Sequence, residues 1–274
     1  MARIKRQTKS IWELGFSSNL NSHTTPGQKR NLGIMVLLCP LLITLTSGAK
    51  AATVTAQVEL ASAPRPHSTT PDYSNIVFWL TPLSSDLAGE ADAKLAGLPH
   101  HFKLIQKDKK FEPHLLVIPV GSMVEFPNQD SFFHNVFSLY DGKRFDLGLY
   151  EAGTTRSIKF DRAGVSFIFC NIHPQMSAVI FAMKTPYYGV PNKFGAVEIR
   201  GVPPGQYRLG IWSEQALPEA LKKLEREMTI TEESSSLGTI TIIPTRDLLA
   251  GHKNKYGVDY DTTQPANPAY KQAQ

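Results

Sequence analysis

Apolar and polar residues follow one another along this chain in short runs that are typical of β-strands. Residues 53–60 alternate between the two classes, which predicts a half-buried strand. Continuous apolar runs at 76–80, 115–120 and 177–183 have the length of strands and predict buried ones. Because Gly, Pro and Asp turns separate many such runs, the pattern predicts an all-β protein built as a sandwich or barrel.

Three stretches depart from the strand pattern. Residues 218–228 predict a helix, since Pro218 suits the first helical position and the leucines that follow have helical spacing. Residues 184–192 are rich in Pro and Gly and predict a linker between two parts of the chain. Residues 251–274 are polar without apolar periodicity, so we expect a flexible tail.

The N-terminal region has the layout of an export signal. A polar, basic stretch precedes an apolar run at 32–45, which is short for a bilayer span. Ala49-Lys50-Ala51 has the small-x-small pattern of a signal peptidase site. We therefore expect a Sec signal peptide over residues 1–51, cleavage after Ala51, and a periplasmic or secreted protein. If the segment stays uncleaved, it would instead anchor the protein to a membrane.

Removing the signal peptide changes the charge and the cysteine count. The whole chain has a formal net charge of +5, but residues 1–51 hold seven basic residues and one acidic residue, so the remainder is slightly acidic. No basic patch indicates nucleic-acid binding. Cys39 lies in the apolar run, which leaves Cys170 as the one thiol of the mature chain. A single thiol cannot form an internal disulfide, and a buried, inert cysteine is the common alternative.

Cys170 is the first of three metal-binding residue types spaced three apart, followed by His173 and Met176. They come directly after a predicted strand at 165–169, and a further histidine, His134, lies on another predicted strand. Two imidazoles, one thiolate and a weak thioether are the ligand set of a blue-copper site. Pro174 restricts the loop, which favours ligands that stay in place.

Other chemistries fit the same residues less well. A structural zinc site takes four Cys or His ligands, and one mature cysteine is too few. A Cys–His nucleophile remains open, although no third orienting group or oxyanion feature is visible. The chain has no His-x-His pair, which argues against the additional copper centres of multicopper oxidases and copper nitrite reductases.

Two segments resemble known families. The motif Cys170-x2-His173-x2-Met176, together with His134-Asn135-Val136, resembles the cupredoxins, and in particular their amicyanin-like members. The resemblance implies His134, Cys170 and His173 as equatorial copper ligands, Met176 as the axial ligand, and Asn135 as a supporting residue that ties the ligand segments by hydrogen bonding. Residues 201–209 resemble the carboxypeptidase-regulatory-like, or transthyretin-like, β-sandwich. The whole layout resembles exported plastocyanin-like or methylamine-utilisation-type proteins.

These observations combine into one set of expectations. We expect an all-β fold with a Greek-key cupredoxin sandwich at 52–184, followed by a small transthyretin-like sandwich with one short helix at 185–250. The expected function is a non-catalytic electron carrier with one mononuclear type 1 copper and a redox protein as partner, which the sequence does not identify. Two alternatives stay open: a copper carrier or storage protein that exchanges no electrons, and a metal-free interaction module of the cell surface.

Overall fold

The computed structural model describes residues 50–61, 71–139, 142–245 and 253–259. The signal peptide expected at 1–51 lies outside them, apart from its last two residues. Strands dominate the described chain, which confirms the all-β prediction. The strands are β1 (Ala52–Leu60), β2 (Ile76–Pro82), β3 (His101–Lys103), β4 (Ile105–Lys107), β5 (Lys110–Glu112), β6 (Leu115–Pro119), β7 (Met123–Pro127), β8 (His134–Ser138), β9 (Phe145–Tyr150), β10 (Thr155–Lys159), β11 (Gly164–Phe169), β12 (Ser177–Met183), β13 (Tyr188–Gly189), β14 (Ala196–Val202), β15 (Gly205–Ser213), β16 (Arg226–Ile230) and β17 (Ser235–Ile242).

The strands between residues 101 and 183 form one sandwich, which we call the ligand sandwich. It consists of a five-stranded sheet in the order β6-β12-β11-β8-β9 and a three-stranded sheet in the order β10-β7-β3. The short β4-β5 hairpin contributes Phe111 to the same core. The side chains between the layers are almost all apolar, among them Ile118, Val124, Phe126 and Ile168. Cys170 and Met176 belong to this core as well.

The remaining strands form a second sandwich, the flanking sandwich, which is discontinuous in sequence. Its sheets have the orders β14-β1-β17 and β13-β2-β15-β16. β1 pairs with β14 and β17, and β2 pairs with β15 along its whole length. The expectation that residues 52–184 form the cupredoxin sandwich and 185–250 the second one therefore fails for β1 and β2. These two strands lie beside the strands that follow residue 187, and the ligand sandwich is inserted between the two parts.

An apolar cluster joins the two sandwiches. Val77 and Trp79 on β2 contact Phe181 and Met183 on β12 there, while the alternate residues of each strand point into the core of their own sandwich. Strands with both faces covered carry continuous apolar runs, which is why β2 and β12 lack alternation. Gly210 leaves the room for Trp79, since a Cβ at that position would lie 2.2 Å from the indole ring.

The described residues contain two helices. α1 spans Ser85–Ala96 and is capped by the Ser84 hydroxyl, which accepts the N–H of Leu87. α2 spans only Pro218–Lys222. The helix predicted over 218–228 therefore ends early, because residues from Arg226 onward form β16 and pair with β15. No helix in the described part of the chain is long and apolar enough to cross a membrane.

The region expected as a linker packs into the fold, and the described piece of the tail contacts Asn171. Tyr187 is fully buried in the flanking core, and Tyr188 and Gly189 pair with β2 as β13. In the tail, the backbone N–H of Lys255 donates to the Asn171 side chain at 3.0 Å. Residues 253–259 thus have contacts with the rest of the fold, the other residues of 251–274 lie outside the described residues, and the flexibility of the tail stays a prediction.

Candidate metal centre

His134 opens β8 in the five-stranded sheet. β8 pairs with β9 on one side and with β11 on the other, where Phe137 lies opposite Phe169. This antiparallel register brings the beginning of β8 alongside the residues that leave the end of β11. The His134 side chain is fully buried. The strand pairing therefore places a buried imidazole beside the loop that carries the thiol.

Residues 170–176 form the connection between β11 and β12, which pair as a hairpin with Phe169 opposite Ser177. Two backbone hydrogen bonds close the loop. The N–H of Cys170 donates to the carbonyl of Met176 at 3.2 Å, and the N–H of Met176 donates to the carbonyl of His173 at 3.0 Å. The cysteine and the methionine are buried, while Pro174 is exposed at the tip. A short, hydrogen-bonded loop of this kind fixes its side chains without needing a bound ligand.

Three donor atoms converge between β8 and this loop. Cys170 Sγ lies 3.7 Å from His134 Nδ1 and 3.6 Å from His173 Nδ1, and the two Nδ1 atoms are 3.2 Å apart. These three distances define a triangle whose circumscribed circle has a radius of about 2.0 Å, close to metal–nitrogen bonds of about 2.0–2.1 Å and metal–sulfur bonds of about 2.3 Å. The residues present fit one metal ion with a thiolate and two imidazole ligands. Among the described residues, this is the one group of three or more His, Cys, Asp or Glu side chains arranged closely enough to hold a metal.

Met176, the fourth residue of the predicted ligand set, lies close to Cys170 in the chain's fold. Its side chain is fully buried in the same core as Cys170. It immediately precedes β12, across the closed loop from the cysteine. A thioether is a weak ligand that suits the axial position of a copper site.

The Nε2 atom of His134 is held by a carboxylate that no sequence pattern singles out. Asp130 Oδ2 lies 2.7 Å from His134 Nε2, and Asp130 is 8% exposed. With the Nε2 proton donated to Asp130, the Nδ1 lone pair faces Cys170 and His173. Such a carboxylate–histidine pair fixes the tautomer and the ring orientation of a metal ligand.

Both imidazoles favour the neutral form that a metal ion requires. Burial lowers the pKa of His134 below its usual 6.5, against the opposing effect of the Asp130 carboxylate. Burial and the neighbouring His134 imidazole lower the pKa of His173 to about 4. Burial raises the pKa of the Cys170 thiol, and this effect is opposed by nearby backbone N–H groups, that of Asn135 foremost. Since a metal-bound cysteine is a thiolate, metal binding would release the thiol proton and leave the imidazoles as they are.

Aromatic side chains cover the two imidazoles. The ring of Phe132 packs edge-on against His134 and His173, with centroid distances of 5.1 and 5.5 Å. The ammonium group of Lys109 lies 5.4 Å from the centre of the same ring. Phe132 therefore limits the access of water to the ligands. Other phenylalanines of these strands have a different place: Phe167 and Phe181 contact Trp212 in the cluster between the sandwiches.

Asn135 supports the site in a different way from the one implied by the resemblance. Its side-chain Nδ2 donates to Asp146 on β9 at 2.7 Å, and not to the ligand loop. The backbone N–H of Asn135 is the group directed at the Cys170 sulfur. Asp146 also binds the Lys255 ammonium at 2.8 Å, so a segment of the C-terminal tail reaches the surroundings of the site.

Sequence reasoning found the three converging donors and missed Asp130 and Lys255. Asp130 stands in a polar turn, Asn128-Gln129-Asp130-Ser131, where a solvated aspartate is the ordinary expectation. Asp130 precedes β8 and lies in a loop, where strand periodicity does not apply, so its spacing of four from His134 did not predict that the two side chains meet. Lys255 lies 84 residues after Asn171 of the ligand loop. Only the three-dimensional arrangement connects either residue to the site.

Among solved structures, copper proteins resemble part of this chain. A copper-containing nitrite reductase from Thermus scotoductus SA-01 aligns over 31% of this chain and 23% of its own, with 27% identity and a TM-score of 0.30. A purple cupredoxin from Nitrosopumilus maritimus aligns over 30% of this chain and 98% of its own, with 26% identity and a TM-score of 0.27. A Cu(I) structure of an amicyanin variant covers 32% of this chain and 89% of its own, with 19% identity and a TM-score of 0.29. These alignments are too partial to establish family membership. No protein-family model matches the chain, and no curated protein sequence does either.

Proposed function

We propose that this protein binds one copper ion through Cys170, His134 and His173 and carries single electrons between redox partners. The observation that supports this most directly is the triangle of donor atoms, with sides of 3.2 to 3.7 Å. It lies between two segments that are distant in the sequence, the start of β8 and the loop at 170–176. In this proposal Met176 is the weak axial ligand. A mixed set of one thiolate, two imidazoles and a thioether favours copper over the oxygen-preferring metals.

When bound, copper would supply a centre that accepts and returns one electron. The contribution of the chain is to keep the ligands in the same place in both states. Cys170 and Met176 are fixed by the hydrogen bond that closes the hairpin loop, and His134 by its strand and by Asp130. His173 is half-buried and its neighbour Pro174 is exposed. The loop tip is thus the part of the ligand set that a redox partner would reach.

A carrier fits this site better than an enzyme. A catalytic metal site keeps one coordination position open for water or substrate. His134, Cys170 and His173 all point to one metal position. The described residues hold no second group of this kind. The ring of Phe132 packs against both imidazoles and leaves less room for a small molecule beside them. These features favour electron exchange at the loop tip over chemistry on a bound molecule.

The proposed setting is the periplasm or the extracellular space, after cleavage behind Ala51. The apolar run and the small residues around that position support it. Under this proposal the mature protein has a single thiol, Cys170, which a bound copper ion would protect from oxidation. A leader that remained attached would place the same site at a membrane surface.

The test is the visible absorption spectrum of the mature protein after reconstitution with Cu(II). We expect one copper per chain and an intense thiolate-to-copper band that disappears in Cys170→Ser and is strongly altered in His173→Ala. His101→Ala, which removes an exposed imidazole that is not part of the donor group, should leave the band unchanged.

Voltammetry of the same sample separates the remaining possibilities. A reversible one-electron couple supports a carrier of electrons. Bound copper with a sluggish, irreversible couple would instead favour copper storage or transport. Substoichiometric copper, together with unchanged stability of His134→Ala, would refute the metal site and favour an interaction module.

A further inference from the structure

The buried Asp130 beside His134 is held by hydrogen bonds from several parts of the chain. Asp130 Oδ2 accepts the His134 Nε2–H at 2.7 Å. The backbone N–H of Asp130 itself donates to the side chain of Asn128 at 3.0 Å. Asn128 is in turn held by its Nδ2, which donates to the carbonyl of Phe132 at 2.8 Å. The loop between β7 and β8 is thus folded around the carboxylate that faces the imidazole.

A separate element supplies two more donors to the same carboxylate. The N–H groups of Asp108 and Lys109 donate to Asp130 Oδ1 and Oδ2 at 2.7 and 3.0 Å. These two residues form the turn of the β4-β5 hairpin and have φ angles of +53° and +56°. Such angles cost non-glycine residues roughly 1–2 kcal/mol each. The turn is nevertheless kept in the conformation that points two successive N–H groups at one anion, a known form of backbone anion site.

The two imidazoles of the site differ in this respect. Within the described residues, a carboxylate hydrogen-bonds His134, whereas the recorded contacts of His173 are with Cys170, His134 and the ring of Phe132. The negative charge therefore stands behind one ligand only, about one imidazole width from the triangle of donor atoms. A charge so placed acts on the metal through that ligand, in surroundings where little water screens it.

On the basis of the proposed copper site, we propose that Asp130 is a positioning residue that aims the Nδ1 lone pair of His134 at the metal and lowers the reduction potential of the bound copper. The negative charge stabilises Cu(II) more than Cu(I), because the oxidised ion carries the larger positive charge. The Asp108–Lys109 turn holds the carboxylate where it can do both.

The test compares Asp130→Asn with the wild type. The substitution keeps the size of the side chain and removes its charge. Loss of a supporting residue of this kind weakens metal affinity about 10- to 100-fold. A tenfold loss that falls on Cu(II) alone corresponds to a rise in the one-electron potential of about 59 mV. Asp130→Glu keeps the charge and should return the potential toward that of the wild type.

Asp161→Asn is the matched control, because it removes an exposed carboxylate that pairs with Lys143 and with none of the donor residues. It should leave the potential unchanged. If the wild type shows the copper band but Asp130→Asn and Asp161→Asn have equal potentials, this inference fails and the copper site stands. If the wild type shows no copper band, the proposed function itself fails.

A second measurement does not depend on copper or on the folding of a variant. In the metal-free wild type, ¹H–¹⁵N spectra of the histidine rings should place the His134 proton on Nε2, protected from exchange and shifted by its carboxylate partner. In a folded Asp130→Asn variant this signal should move, and it should move more than that of His173, which has no hydrogen bond to Asp130 among the described contacts. A His134 proton on Nδ1, or an Nε2 proton in rapid exchange, would overturn the positioning role even if the variant did not fold.

Discussion

Phe181 holds the two sandwiches together, and its replacement by Ala should destabilise the whole fold. The residue is 7% exposed on β12. Its ring packs edge-on against Trp79 and Trp212 of the flanking sandwich, with centroid distances of 5.3 and 6.0 Å. Truncation of a buried Phe costs about 3–5 kcal/mol. The two aromatic contacts, each worth about 0.5–1.5 kcal/mol, account for part of that sum.

Tryptophan fluorescence can report the loss of stability at the interface between the two sandwiches. The chain has three, of which Trp79 and Trp212 remain after the expected cleavage, and both lie in the cluster between the sandwiches. Urea unfolding of the metal-free protein followed by tryptophan fluorescence therefore reports the interface. Thermal unfolding followed by the same fluorescence gives a second readout: for a protein of this size, a loss of about 1 kcal/mol lowers the melting temperature by about 2–4 °C, so Phe181→Ala should lower it by about 6–20 °C.

The control is Phe194→Ala, since the Phe194 side chain is 70% exposed. That substitution should change the free energy of unfolding by no more than about 0.5 kcal/mol. In the wild type, far-UV circular dichroism and fluorescence should give coincident unfolding transitions, because the interface makes the sandwiches unfold together. Two separate transitions, or equal effects of the two substitutions, would refute the reasoning.

Three further predictions concern the site and its surroundings. Burial alone would lower the pKa of His114, but the Glu214 carboxylate, 2.8 Å away, outweighs burial and raises the pKa above 6.5. The native state therefore binds this proton more tightly than the unfolded state does. The stability that the pair contributes should be lost as the pH rises above about 6.5. The difference in unfolding free energy between wild type and His114→Gln, measured from pH 5 to 9, should shrink in that window, and a constant difference would contradict it. Phe132→Ala should lower the copper potential in voltammetry by admitting water to the imidazoles, whereas Phe133→Ala, already 44% exposed, should change it less. Lys255→Ala should cost at most about 1 kcal/mol, because its ion pair is partly exposed, yet it should speed proteolytic removal of the tail.

The parts of this structure that the sequence predicts are the ones encoded locally. The alternation of 53–60 is reproduced in β1, where Val54, Ala56 and Val58 are buried and their neighbours are not. The three-residue spacing of Cys170, His173 and Met176 predicts a loop after a strand, and the structure has one. His134 was selected for its residue type and its place on another strand. Each of these signals lies within a few residues of its effect.

What the sequence could not supply is the pairing of distant segments. β2 and β15 are more than 120 residues apart, and the continuous apolar run of β2 fits a core strand of either sandwich equally well. The division at residue 184 was therefore drawn where the composition changes, although the chain crosses between the sandwiches twice. The early end of α2 has the same origin, because residues 226–230 gain a strand partner that their helical spacing does not reveal. Tertiary pairing overrides a helix propensity that is worth only tenths of a kcal/mol per residue.

Because one sandwich is inserted into the other, the two faces of the five-stranded sheet have different roles. Its inner face carries Cys170 and Met176, while its outer face is covered by the flanking sandwich through Phe181. A redox partner of the proposed carrier cannot approach across that covered face. It would meet the loop end instead, where Pro174 and Phe133 are exposed. Substitutions at the covered face should therefore change stability and leave the rate of electron exchange intact, and substitutions at the loop end should do the reverse. A Phe181 variant that folded but exchanged electrons more slowly would contradict this division. The Phe181 side chain lies between the sandwiches and does not contact a partner at the loop end, so it should affect electron exchange only by destabilising the fold.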